Sequence, residues 1–131
     1  MKSLAKRKKD PNSKYWQAKA MGEWGRIVHA QGRCAVCKSL GEHHGDKLDA
    51  HHLVTRSAPS CRYDPANGIL LCPLHHLYSQ ELSAHKAPMA FILWLEKHEP
   101  DKYAYLKRNA FYHPTIERTS AQEWYEILKE Y

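Results

Sequence analysis

"LDAHHLVTRSAPSCRYDPANGILLCPLHHLY", residues 48–78, holds four of the ten histidines and two of the four cysteines of this 131-residue chain. The histidines stand as adjacent pairs, His51-His52 and His75-His76. "KLDAHHLV" and "ILLC" read as two short strands. Between them "TRSAPSCRYDPANG" is a connector rich in turn formers, with Pro59, Pro65 and Asn67-Gly68. "PLHHLYSQELSAH" then reads as a helix with Pro73 in its first turn. The stretch is thus strand, connector, strand, helix.

Outward from it, helices dominate. "SKYWQAKAMGEWGRIVHAQG" places Tyr15, Trp16, Ala20, Trp24, Ile27 and Val28 near a 3.6-residue period, with Ser13 as cap and Gly32 as stop. "CAVC" follows, and residues 38–47 read as loop, with Gly41 and Gly45 flanking His43-His44. On the C-terminal side "APMAFILWLEKH" and "PDKYAYLKRN" read as helices opened by Pro88 and Pro100. "SAQEWYEILKEY" closes the chain, with Ser120 and Glu123 spaced as a capping box. The expected class is α+β: a ββα unit among four or five helices. One domain is expected, with a basic arm over 1–12, a helix over 13–32, a ββα core over 34–85 and a helical region over 87–131.

The formal charge of +6 has an uneven source. Residues 1–20 carry seven basic side chains against Asp10 alone, while the remainder balances. The arm "KSLAKRKKD", with Lys6, Arg7, Lys8 and Lys9, suits a polyanion because each phosphate contact releases counterions; a solvated terminus explains it equally well. No apolar segment follows the basic start, and the longest apolar run, "MAFILWL" at 89–95, is too short to span a bilayer. The expectation is a cytoplasmic protein without membrane association, in which four cysteines bind metal rather than pair as disulfides.

Cys34 and Cys37 are spaced C-x₂-C, and Cys72 and His75 are spaced C-x₂-H. A tight turn places each pair on one ion, and three thiolates with an imidazole suit tetrahedral Zn²⁺. Cys61 is left over and reads as a small apolar residue.

With His75 on zinc, His76 is free for another task. The order Cys-x₂-Cys, a strand ending in a His pair, then Asn-x₃-Leu-Cys-x₂-His-His resembles the HNH endonucleases, whose fold is the ββα-metal finger. Residues 34–76 carry the resemblance, and "DAHHLVTRSAP" with "RYDPANG" is most similar to phage-encoded members, including recombination endonucleases acting on branched DNA. The resemblance implies His52 as general base, His51 and His76 as ligands of a catalytic divalent metal, and Asn67 as the residue orienting the base. It leaves open whether His51 or Asp49 meets that metal, and His85 is a further candidate. Mg²⁺, Mn²⁺, Ni²⁺ and Zn²⁺ all suit such a ligand set. Products with 5′-phosphate and 3′-hydroxyl ends are implied, with DNA and other phage DNA-processing proteins as partners and the host cytoplasm as location.

The chemistry needs these residue types on its own account. Histidine titrates near neutrality, so a neutral His52 can take a proton from water. A cation can clamp the scissile phosphate and the departing oxygen. Arg56 and Arg62 flank the site and can bind phosphates. A regular strand, however, points His51 and His52 to opposite faces, so both reach one phosphate only if the strand ends or bulges there. Isolated His29, His98 and His113 read as surface or internally satisfied residues, and His43-His44 as a solvated pair. The aromatics between 94 and 125 read as core packing. The rival reading is a zinc-stapled DNA-binding module without catalysis, which needs no His52, Asn67 and His76 set. Action on RNA or on branched DNA alone is a third reading.

Overall fold

The computed structural model describes residues 10–110 and 119–131. The arm with Lys6, Arg7, Lys8 and Lys9 lies outside the described residues, as does His113. Helix α1 spans Lys14–His29, α2 Ala35–Leu40, α3 Pro88–His98, α4 Pro100–Asn109 and α5 Ala121–Leu128, with strands β1 (Asp49–His52) and β2 (Gly68–Leu71) between α2 and α3. The chain is therefore mixed helix and small sheet, an α+β arrangement. No helix among the described residues is long and apolar enough to cross a membrane.

The two strands pair antiparallel, with Asp49 opposite Leu71, Ala50 opposite Leu70, His51 opposite Ile69 and His52 opposite Gly68. β2 is buried on both faces. Leu70 packs with Ala20, Trp24 and Val28 of α1 and with Ala121 and Leu128 of α5. Ile69 and Leu71 point the other way, against Val36, the cysteines and Phe91, Trp94 and Leu95 of α3. Alternation along the strand thus splits the core into two clusters, one on each face. The free edge of β2 is closed by one side chain: the Gln31 amide donates to the Gly68 carbonyl at 3.1 Å and accepts from the Leu70 N–H at 3.2 Å. This satisfies the exposed edge that a two-stranded sheet otherwise leaves.

Local chemistry explains most boundaries. The Ser13 hydroxyl accepts from the Trp16 N–H at the start of α1. At α5 the Ser120 hydroxyl accepts from the Glu123 N–H at 3.1 Å, but the Glu123 carboxylate accepts from that hydroxyl instead of reaching the backbone. Two expectations need correction. Residues 35–40 form a helix whose last turn takes residues 38–40 out of the loop expected over 38–47, because the Cys34 sulfur caps it by accepting from the Cys37 N–H and Gly41, at φ 68°, ends it. The helix expected over 73–85 stops after a single π-helical turn, Leu74–Tyr78. Ser79 and Ser83 explain the stop. The Ser79 hydroxyl accepts from the Leu82 N–H, and the Ser83 hydroxyl donates to the Ser79 carbonyl, so side chains take the bonds a continuing helix would need. The chain then doubles back, with the Ala84 and His85 N–H groups donating to the carbonyls of His75 and His76.

Gly68 fixes how closely α1 approaches the sheet. A Cβ there would overlap Val28 Cγ2 and lie 3.0 Å from Trp24 Cζ2, and both side chains are buried. Gly68→Ala is expected to destabilise by about 1–3 kcal/mol or more through overpacking, read as a lower midpoint in urea. An unchanged midpoint would show that α1 does not rest on β2 at this distance.

Candidate functional site: two histidine-bearing clusters

Cys34, Cys37, Cys72 and His75 are all buried, and their ligand atoms lie within 4.8 Å of one another. His75 Nδ1 lies 3.7 Å from the Cys34 sulfur and 3.4 Å from those of Cys37 and Cys72, and the Cys37 and Cys72 sulfurs are 3.7 Å apart. Tetrahedral zinc, with bonds of about 2.3 Å to sulfur and about 2.0 Å to nitrogen, has ligand–ligand edges of about 3.5–3.8 Å. These four edges, 3.4–3.7 Å, lie close to those of a closed tetrahedral site, so a structural zinc fits. Electrostatics agrees. Burial, then the neighbouring Cys34 and Cys72, pushes the Cys37 thiol far up, and burial pushes Cys72 up. Three thiolates cannot share so small a space without a cation to offset their charge. Burial, with His44 beside it and Glu42 opposing, pushes His75 down, which keeps its imidazole neutral for ligation.

The second cluster lies one residue on. His51, His76 and His85 bring one ligand atom each within 4.8 Å of one another and can also hold a metal ion. Their ring centroids are 5.0, 5.3 and 4.8 Å apart for the pairs 51–76, 51–85 and 76–85. Three elements supply them: His51 from β1, His76 from the π-helical turn, and His85 from the segment that doubles back. A helix continuing from His76 would have carried His85 about 13 Å away. The turn also explains the adjacent pair: His75 serves the cysteine cluster while His76 faces the other group. Asp49, two residues before His51 on the same strand face, accepts from His76 Nδ1 at 3.0 Å. The carboxylate therefore sits behind His76, leaving Nε2 free to ligate, as carboxylates do behind metal-bound imidazoles. Burial, followed by the proximity of His76, His85 and His52, holds His51 down at about 3, neutral across ordinary pH.

His52 points to the opposite face of β1. Its ring stacks on Trp24 with centroids 3.7 Å apart and planes 7° from parallel, over Gly68. Its Nε2–H donates to the Arg62 carbonyl at 2.9 Å. The proton is thereby fixed on Nε2, and Nδ1 is left as the acceptor nitrogen. Burial holds the ring below its ordinary value, with Arg56 adding to the shift and the Arg62 carbonyl opposing it. The strand ends at His52, so both His51 and His52 line one cavity of about 620 Å³ despite their opposite faces. Thr55, Arg56, His76 and His85 line it too.

Asn67 differs from its expected role. It does not bond the His52 imidazole. Fully buried, it accepts from the Val54 N–H at 2.6 Å and donates to the carbonyls of Val54 and Cys61 at 2.9 and 3.0 Å. It braces the connector, whose next residue, Arg62, holds His52. Arg62 reaches the site through its main chain, and its guanidinium lies 5.9 Å from the Tyr63 ring. Asp64 secures the same connector by capping Ala66, accepting from Tyr105 Oη at 3.0 Å and offering its carbonyl to Trp24 Nε1. Three participants escaped sequence reading. Trp24 is one, having no motif to mark it. Glu42 and His44 are the others: they sit beside His75, with His44 Nε2 2.7 Å from the Glu42 carboxylate, and His43 pairs with Asp46.

No known protein-family model, curated protein or solved structure matches this chain.

Proposed function

We propose that the chain is a metal-dependent endonuclease that hydrolyses DNA phosphodiester bonds, built on a ββα-metal core of the HNH kind. One observation carries this reading: a neutral imidazole with a committed proton, His52, shares a cavity with three imidazoles poised around one point. A purely structural metal site has no use for the first, and a lone basic residue has no use for the other three.

His51, His76 and His85 would hold the divalent cation, which supplies charge stabilisation at the phosphate and at the departing 3′ oxygen. Asp49 keeps the His76 tautomer correct for ligation. His52 Nδ1 takes the proton of the attacking water as the water oxygen bonds phosphorus and the P–O3′ bond breaks; the departing O3′ takes a proton from solvent, leaving a 5′-phosphate and a 3′-hydroxyl. The Arg62 carbonyl orients the ring, and the indole face of Trp24 lies against the imidazolium as it forms. Arg56, on the cavity wall, offers a phosphate contact, and the basic arm adds affinity that salt weakens. Cys34, Cys37, Cys72 and His75 hold a zinc that keeps the second strand and the turn in register with the first.

Supercoiled plasmid incubated with the full chain tests this. Nicking is expected in Mg²⁺, Mn²⁺ or Ni²⁺ and is expected to stop when EDTA is added. Salt-sensitive DNA binding with no cleavage in any of these ions would instead favour a zinc-stapled binding module.

A further inference from the structure

The cavity has a second wall that phosphate chemistry does not use. Besides the imidazoles, its lining carries Leu53, Ala84, Pro88, Ile92, Leu95 and Leu106, together with Phe91, whose ring lies 6.0 Å from that of His51. Pro88 and Ile92 are exposed at the mouth, Ile92 by 42 %, while Leu95 and Phe91 are buried at its floor. Among the described residues, Arg56 is the one basic side chain besides the histidines on the lining. A backbone phosphate presented from the outside of a duplex requires charge and a metal, and gains nothing from an aliphatic wall. At about 620 Å³ the space lies within the roughly 300–1,000 Å³ typical of sites that enclose small organic ligands.

We infer that this wall receives the base of an unpaired nucleotide beside the scissile phosphate, so that the substrate is single-stranded or locally unpaired DNA rather than intact duplex. The inference rests on the nuclease reading above and names its substrate class. A base in a duplex is stacked and paired, and drawing it into the cavity carries the cost of extrusion. An unpaired base carries no such cost and exchanges water for apolar contact, which any of the four bases can do because each has a π-face. The preference is therefore for strand state, with little dependence on sequence.

The experiment compares one oligonucleotide sequence as a single strand, as a duplex and as a duplex with a single-base bulge, in Mn²⁺. The wild-type chain is expected to cut the single strand and the bulged site about tenfold or more faster than the duplex. Ile92→Asp, which puts a carboxylate on an exposed part of the wall, is expected to reduce that ratio. Fluorescence anisotropy with His52→Ala protein gives a readout without turnover: the labelled single strand is expected to bind more tightly than the duplex, and Ile92→Asp in that background to weaken the single strand more. Equal or faster cutting of the duplex overturns the inference and leaves the DNA nuclease reading intact; preferential cutting of the same sequence as RNA overturns the inference and the DNA substrate of that reading, leaving only the nuclease chemistry. No cleavage of any strand state overturns both.

Discussion

Cys34→Ser, or exhaustive treatment with a strong chelator, is expected to unfold the segment from Cys34 to His76. Each strand has only four residues, and the face of β2 carrying Ile69 and Leu71 packs against the cysteines themselves. A structural zinc contributes on the order of 10 kcal/mol in small folds. That rivals the whole stability of an ordinary domain, about 5–15 kcal/mol. Without the ion the buried thiols are protonated, four polar ligand atoms lose their common partner, and the cross-link from α2 to the π-helical turn is lost. Far-ultraviolet circular dichroism should lose signal and the melting transition should fall or vanish, alongside loss of bound zinc. Cys61→Ala is the control. Cys61 is as deeply buried but packs with Val54, Ala58 and Tyr105, apart from the cluster, and its loss is expected to cost only about 1 kcal/mol. A metal-free chain with an unchanged melting temperature would refute the structural role.

His52→Ala should lower the cleavage rate about 10²- to 10⁴-fold, the usual contribution of a positioned general base. Zinc content should be unchanged, because none of the four cluster ligands touches His52. Loss of the Trp24 stack is expected to cost about 1 kcal/mol, too little to unfold the chain. The pH profile of the wild type gives a second check. His52 is held below its ordinary value of 6.5, so its neutral, active form is complete above that pH. Activity should therefore be flat through pH 7 and decline only as pH falls below about 6.5 toward the depressed value. An acid limb centred at or above pH 7 would contradict the environment described for His52, and full activity in His52→Ala would remove it from the mechanism.

Spacing made the cysteine cluster legible, since C-x₂-C and C-x₂-H are local signals that need no knowledge of the rest of the fold. Ser13, Pro88, Pro100 and Ser120 similarly marked helix starts from neighbouring residues alone. Other features depend on contacts between distant parts of the chain. Trp24 meets His52 only because Gly68 lets α1 settle on the sheet, and nothing near residue 24 announces that. His85 joins His51 and His76 only because the Ser79 and Ser83 hydroxyls break a helix that periodicity alone would continue. Asn67 was read as a partner of the imidazole, yet the extra turn at residues 65–67 turns its amide to the main chain of Val54 and Cys61. The conflict between strand alternation and a shared site is resolved by the strand's end at His52, an irregularity the residue pattern allows without requiring.

The central claim is that His51, His76 and His85 grip a divalent cation beside His52. Anomalous diffraction from a crystal soaked in manganese tests it most directly, with zinc at the cysteine cluster as an internal standard measured at its own absorption edge. The expected result is a manganese peak within bonding distance of all three imidazoles. Zinc in place at the cysteines with no manganese peak among the three rings would contradict the account.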